Sequence, residues 1–309
     1  MKSFFSNPKG LGLKKRSNNY IGLLYISPWI IGFLVFQLYA LATSLYYSFT
    51  DYSMGTKTTW VGLTNYINIF KQDPNFFQSA KVTFIYVLIA VPLKLAFALF
   101  IAVILNQRLK GINLFRTVNY IPSILAGSVS ISILWKALFT KEGYLNHLLD
   151  LVGIPAVSWY GTPMMSLLTI SLLTVWQFGS SMVLFLAGLQ QIPNAMYEAA
   201  KVDGAATVKR FFKITLPMLT STIFFNIVMQ TINAFQEFTS AAIITHGGPV
   251  KGTYLYGLML YEEAFKNFRM GYACALSWLL FLVILLFTLI MFASSSKWVY
   301  YGDGGEAGE

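Results

Sequence analysis

The chain has 309 residues, of which 56% are hydrophobic and only 11% are charged, and its mean hydropathy is +0.60. Soluble globular domains carry roughly 45–50% apolar and about 25% charged residues, so this composition excludes an ordinary soluble domain and predicts a polytopic membrane protein. The formal charge of +10 does not indicate nucleic-acid binding, because the lysines and arginines lie in short segments between apolar runs, as in membrane proteins.

Six apolar runs are each long enough to cross a hydrocarbon core of roughly 30 Å. The first run is longer than the apolar core of a signal peptide, so we expect an uncleaved helix there. The range 20–296 is therefore predicted to be one six-helix transmembrane domain, between a basic tail at 1–19 and a flexible, partly acidic tail at 297–309. The predicted spans are 20–50, 82–105, 118–139, 166–189, 218–239 and 273–293.

The distribution of basic residues predicts the orientation of the chain. With the N-terminus inside the cell, thirteen lysines and arginines fall in cytoplasmic segments and seven fall in outer segments. Cytoplasmic segments of membrane proteins carry the excess of Lys and Arg. We therefore expect a multi-pass membrane protein with both termini in the cytoplasm.

Lys94 is a charged residue inside the second apolar run. A lysine at such a depth costs about 2.5–3.5 kcal/mol on insertion scales. It either faces the interior of the bundle or a partner, or it extends its ammonium group to the membrane surface. The sequence leaves both alternatives open.

A polar segment, 193–217, separates the fourth and fifth apolar runs and has the pattern of a helix, a turn and a helix. Pro193 suits the first turn of a helix, and Asp203-Gly204 is a turn signal. Pro217 is expected to end the second helix. From its pattern alone, this hairpin is either a docking element for a soluble partner or an ordinary solvated loop, since amphipathic interfacial hairpins are common.

Polar side chains also recur along one face of the fifth apolar run, where spacings of four, three and four residues place them on one side of a helix. This polar stripe consists of Asn226, Gln230, Asn233 and Glu237. The fourth run adds Gln177 and Ser180. Amides and hydroxyls beside aromatic rings offer the in-plane hydrogen bonds and flat faces that a sugar needs, so these six residues are candidates for a substrate pathway. Hydrogen bonding between helices is the alternative role for the same residue types.

No catalytic or metal-binding constellation is visible in the sequence. Both histidines, His147 and His246, lie in or near predicted outer loops, and no nucleophile and base are paired. The phosphate-binding pattern G-x-x-x-x-G-K-[ST] is absent, so ATP hydrolysis would need a separate subunit. A membrane enzyme is disfavoured for these reasons. A secondary transporter is disfavoured because it would be expected to show several intramembrane carboxylates and inverted repeats, whereas Glu237 is a single carboxylate well inside an apolar run and no inverted repeat is clear.

Residues of the hairpin resemble the EAA loop of the membrane subunits of ABC importers. The positions that match that family's spacing are Glu198, Ala199, Ala200, Asp203, Gly204, Ala205, Phe211, Leu216 and Pro217. Segments 60–66, 115–125 and 247–249 also resemble permeases of the maltose and glycerol-phosphate transporter group. The resemblance extends over nearly the whole chain.

This resemblance implies an all-α protein with six transmembrane helices and the type I ABC importer permease fold, in a bacterial or archaeal cell membrane. The coupling residues would be Glu198, Ala199, Ala200, Asp203, Gly204, Ala205 and Phe211, which would enter a groove of a cytoplasmic ATPase. The implied partners are a second six-helix permease, an ATPase dimer that binds ATP and Mg, an extracytoplasmic solute-binding protein, the sugar and the membrane lipid. When ATP closes the ATPase dimer, the hairpins would move together and the cavity would switch from inward-open to outward-open.

Overall fold

The computed structural model describes residues 19–55, 57–107 and 110–300. Within these ranges the structure is helical, and the β contact found there is an isolated bridge between Thr50 and Trp60. The predicted basic tail lies outside the described residues except for Asn19, and so does the range 301–309 of the predicted C-terminal tail.

The chain divides into two compact units, Met1–Tyr46 and Tyr47–Glu309. The first unit contains α1 (Asn19–Gly32), a π-helical segment (Phe33–Leu38) and most of α2 (Tyr39–Ser48). These three elements follow one another without a break, and Leu24–Ser48 is apolar and long enough to cross a membrane. The first predicted span is thus a continuous helical run.

The second unit contains the remaining helices. Two of them, α4 and α15, are apolar and long enough to cross a membrane without a break. The helices of this unit are α3 (Thr64–Lys71), α4 (Pro74–Leu105), α5 (Ile112–Ile124), α6 (Val129–Leu138), α7 (Tyr144–Leu151), α8 (Pro163–Trp176), α9 (Gly179–Gln191), α10 (Asn194–Val202), α11 (Thr207–Arg210), α12 (Leu216–Met218), α13 (Thr220–Phe235), α14 (Tyr256–Tyr261) and α15 (Met270–Ser295).

Three further candidate spans are bent pairs of helices. The bend is 101° between α5 and α6, 47° between α8 and α9, and 65° between the helical run Thr207–Met218 and α13. The predicted count of six spans is reached if each pair is one span. The predicted third span, 118–139, is not a straight helix, because Gly127 adopts a left-handed φ of +74° and Ser128 is extended before α6 begins.

The second span begins at Pro74, eight residues before its predicted start at 82. Asp73 explains the earlier start, because its carboxylate accepts a hydrogen bond from the backbone N–H of Asn75 at 2.9 Å. An aspartate cap followed by proline at the first helical position is a strong helix-start signal. The residues between 74 and 81 are therefore helical, although the apolar run begins later.

The segment between the predicted fifth and sixth spans contains several helical elements of its own. It contains two π-helical segments, Ala241–Thr245 and Glu262–Lys266, on either side of α14. Leu255, Leu258 and Met259 are at most 3% exposed. Burial of these apolar side chains stabilises the segment as part of the hydrophobic core.

Helix α4 lies at the centre of the packing in the second unit, where it contacts α8, α9, α13 and α14. Its residues Ala90, Ala98 and Ala102 are completely buried. Small side chains allow neighbouring helices in a membrane to approach closely. This close packing places α4, α8, α9 and α13 around a common interior.

Candidate functional site

A polar cavity of about 360 Å³ lies within this helical interior. It brings together five of the six candidate pathway residues, namely Gln177, Ser180, Gln230, Asn233 and Glu237. The rest of its lining consists of Tyr86, Val91, Lys94, Ser123, Ala126, Gly127, Thr174 and Ala234. These residues come from α4, from α5 and the break that follows it, from α8 and α9, and from α13 and its C-terminal end.

The sixth candidate, Asn226, does not line the cavity. Its side chain is completely buried, and its amide donates to the carbonyl of Thr222 on the preceding turn at 3.0 Å. Its Oδ1 is buried without a hydrogen-bond partner among the described residues. The polar stripe therefore has two environments: Gln230, Asn233 and Glu237 face the cavity, and Asn226 lies in packed protein.

The break between α8 and α9 is held by a side chain from another helix. Ser123 of α5 donates its hydroxyl hydrogen to the carbonyl of Gln177 at 3.1 Å, and it accepts from the backbone N–H of Ser180 at 3.0 Å. At Gly179, an added Cβ would lie 2.8 Å from the carbonyl of Asn119, so glycine permits the close approach of α5. This arrangement places Gln177 and Ser180 beside the cavity.

Glu237 follows the C-terminal end of α13. Its Oε1 accepts hydrogen bonds from the backbone N–H of Ser240 at 2.9 Å and from the Ser240 hydroxyl at 2.8 Å. A carboxylate in this position satisfies free N–H groups at the start of the next helical segment. One carboxylate oxygen of Glu237 therefore has a structural partner within its own chain segment.

Lys94 projects from α4 into the same cavity lining and is only 8% exposed. The structure thus favours the interior position over extension of the ammonium group to the membrane surface. Nearby, the hydroxyls of Tyr86 and Thr174 are hydrogen-bonded to each other at 2.6 Å. The sequence identifies Lys94 as a charged residue inside an apolar run but leaves its direction open, because the orientation of its side chain depends on the packing of α4.

The hairpin at 193–217 forms a second candidate site. Helix α10 ends at a left-handed Gly204 with φ of +74°, and the backbone N–H of Ala205 donates to the carbonyl of Ala200 at 2.9 Å. Such a terminal turn satisfies carbonyl groups at the end of a helix. The predicted helix–turn–helix is therefore present, although the second arm continues through Pro217 to Met218 and bends at Leu219.

The tip of the hairpin exposes both polar and apolar side chains. Among the predicted coupling residues, Glu198, Ala199, Asp203 and Gly204 are exposed, and Ala200, Ala205 and Phe211 are half-buried. Val202 and Val208 are 88% and 69% exposed. A Cβ added to Gly204 would meet no atom within 4 Å in this chain, so the space around the tip is open.

The amino-acid sequence of this chain is similar to those of known transport proteins over most of its length. The family model described as "Binding-protein-dependent transport system inner membrane component" matches residues 75–297. The chain is 53% identical over 289 residues to the probable ABC transporter permease protein YesP of Bacillus subtilis, covering 93% of this chain and 94% of that one. It is 32% identical over 291 residues to the lactose transport system permease protein LacF of Rhizobium radiobacter, covering 92% and 96%.

Among solved structures, the chain is similar to a chain from the crystal structure of a bacterial alginate ABC transporter in complex with an alginate pentasaccharide-bound periplasmic protein. The TM-score is 0.78 with 20% sequence identity, covering 90% of this chain and 95% of the other. At that identity the similarity concerns the fold.

Proposed function

The chain belongs to the family of binding-protein-dependent transport system inner membrane components, and we propose that it is the permease subunit of an ATP-driven importer for a sugar or oligosaccharide. Members of this family are membrane-embedded transport subunits and not enzymes. In the proposed assembly, the chain forms half of the translocation pathway.

One observation carries the proposal. The exposed hairpin and the cavity lining are parts of one continuous stretch of chain: the second arm, Thr207–Met218, joins α13 at a single bend. Helix α13 then supplies Gln230 and Asn233 to the cavity, and Glu237 follows at its end. A displacement of the hairpin can therefore reach the cavity through one helical stretch with a single bend, without an intervening loop.

The polar cavity supports a sugar as the substrate. Its amides and hydroxyls can donate to and accept from sugar hydroxyl groups, and Tyr86 adds an aromatic side chain to the lining. Relatives are named for lactose, trehalose/maltose and sn-glycerol-3-phosphate transport, which is consistent with a carbohydrate or a related polyol derivative. The substrate would cross between this chain and a second six-helix permease.

The exposed tip of the hairpin supports docking to a separate ATPase. We assign Glu198, Ala199, Ala200, Asp203, Gly204, Ala205 and Phe211 to this contact. Two alanines allow close seating of a helix, and Val202 and Val208 offer apolar area that the chain itself leaves exposed. The ATPase dimer would bind ATP and Mg, because this chain lacks the phosphate-binding pattern.

The proposed orientation places the hairpin and both termini in the cytoplasm, with a solute-binding protein docking on the opposite side. The proposed domain organisation remains a basic tail at 1–19, the permease domain at 20–296 and a tail at 297–309. ATP binding would close the ATPase dimer, draw the two hairpins together and open the cavity outward, and hydrolysis would return it to the inward-open state.

Reconstitution of the assembled transporter in proteoliposomes tests the proposal. Thermal-shift screening of the solute-binding protein first identifies a sugar that it retains, and that sugar is then used radiolabelled. We expect uptake only when ATP is present on the hairpin side and the binding protein on the opposite side. Uptake driven by a proton or sodium gradient without ATP would contradict the proposal and favour a secondary transporter.

A further inference from the structure

The cavity contains the positively charged side chain of Lys94, which the binding of a neutral sugar does not require. Lys94 lines the cavity and is only 8% exposed. Its ammonium group makes no hydrogen bond and no ion pair with the described residues. The two ion pairs within the described ranges, Glu262 with Lys266 and Glu263 with Arg269, involve other groups.

An ammonium group in such an environment needs an anion or several acceptors. Removing a charge from water is costly unless it is paired and hydrogen-bonded, and charged groups within a membrane bundle mark substrate or ion pathways by default. The amides and hydroxyls of the cavity supply neutral acceptors, but they do not supply a balancing charge. An anionic group from outside the described residues is therefore expected to approach Lys94.

Glu237 is the carboxylate that lines the same cavity. It lines the cavity together with Lys94, but no ion pair joins the two side chains among the described residues. One of its oxygens is held by the backbone N–H and the hydroxyl of Ser240. Glu237 is thus engaged through one oxygen with its own chain segment, and Lys94 keeps its own hydrogen-bonding capacity.

We propose that Lys94 binds an anionic group of the transported sugar, and this inference rests on the proposed function. The anionic group is a carboxylate or a phosphate, because both present oxygens that accept from an ammonium group. The neutral part of the sugar would then contact the amides of Gln177, Gln230 and Asn233. A single anionic group near Lys94 is favoured, since Glu237 would repel a second one in the same cavity.

The test measures binding of sugar probes to the assembled, nucleotide-free transporter. The solute-binding protein is left out, so that its own specificity does not affect which probes bind. The probes are a disaccharide with one uronic acid, the same disaccharide with its carboxylate reduced to an alcohol, and a sugar monophosphate. Their apparent affinities are read from the dependence of the Tm of the complex on probe concentration.

We expect at least one anionic probe to bind about tenfold or more tightly than the reduced disaccharide, as charge-assisted hydrogen bonds typically allow. Lys94→Gln should remove this preference, so that the anionic probes bind no more tightly than the reduced disaccharide. Lys94→Arg should retain the preference, because the charge is kept. Lys81→Gln is the matched control: Lys81 is an exposed residue of the same helix that does not line the polar cavity, so the preference should persist.

Several results would overturn the inference. These are equal binding of all three probes, no binding of any probe, or an anion preference that survives Lys94→Gln. If Lys94 only balances Glu237, the double variant Lys94→Gln/Glu237→Gln should restore wild-type binding of every probe. If Lys94 instead pairs with a carboxylate of the second permease, Lys94→Gln should reduce the yield of assembled complex. Either outcome would also refute a role in binding the substrate.

The same preparation separates this inference from the proposed function. ATP-driven uptake of neutral sugars, with no uptake of any anionic sugar that the binding protein retains, would leave the importer assignment intact and refute the anionic substrate. Absence of ATP-driven uptake for every sugar that the binding protein retains would instead contradict the importer assignment.

Discussion

The phenolic hydroxyl of Tyr197 lies 2.8 Å from the hydroxyl of Thr215, and this hydrogen bond joins the two arms of the hairpin. Thr215 is 6% exposed, and Tyr197 is half-buried. Their hydrogen bond connects the helix that carries Glu198 to the arm that continues into α13. The bond thus lies between the proposed docking surface and the cavity.

Tyr197→Phe should weaken the connection between the two arms. Loss of a hydrogen bond of this kind changes an equilibrium by roughly 1 kcal/mol, which corresponds to about fivefold. We expect normal assembly and an uptake rate that falls several-fold relative to ATP hydrolysis. The ratio of sugar transported to ATP hydrolysed measures this effect. Thr215→Val should reproduce it, and an unchanged ratio in both variants would refute a role for this contact in coupling.

Gly204→Asp and Glu198→Lys test the docking surface itself. Gly204 has a left-handed φ of +74°, so a side chain there costs on the order of 1 kcal/mol, and both residues are exposed outside the spans. The variants should therefore insert and fold. Retention of the ATPase on vesicles and uptake should both fall, because the new groups intrude on the interface.

The matched control for Gly204 is Gly153→Asp in the predicted outer loop. Gly153 has a similar φ of +76° and open space around it, so it carries the same backbone strain without the proposed interface. Normal ATPase retention and normal uptake in both hairpin variants would refute the assignment of the coupling hairpin. A defect in Gly153→Asp of equal size would attribute the loss to strain.

Gln230→Ala and Asn233→Ala should lower transport while the complex assembles normally. Both amides line the polar cavity, where they are placed to meet hydroxyl groups of the substrate. Asn226→Ala should behave differently, because Asn226 is completely buried outside the cavity, and its loss should lower the Tm of the complex. Uptake per assembled complex distinguishes the two effects. Lost assembly in the cavity variants would indicate helix–helix hydrogen bonding instead.

The orientation can be tested with single cysteines in a Cys274→Ser background. A cysteine in place of Lys209 should react with a membrane-impermeant maleimide only from the cytoplasmic side, and one in place of Lys57 only from outside. The excess of basic residues in the predicted cytoplasmic segments is the reason for this expectation. Labelling of position 209 from outside would contradict both the orientation and the docking of a cytoplasmic ATPase.

Much of the architecture could be predicted from local sequence. Apolar runs of membrane length predict spans because an unsatisfied backbone in lipid is costly, so each run must be helical. The hairpin could be predicted because Pro193, Asp203 and Gly204 act on the backbone within a few residues. The density of matching positions in that hairpin was also sufficient to identify the family.

The positions of the polar side chains depended on tertiary structure. The stripe has one helical period, yet Asn226 is packed in protein while Gln230 and Asn233 line the cavity. The reason is that the position of the cavity depends on how the neighbouring helices pack against α13. Likewise, the hydroxyl of Ser123, on another helix, holds the break beside Gln177. Lys94 could be recognised from sequence as a costly charge, but its place in the cavity follows from the packing of α4 against α8, α9 and α13.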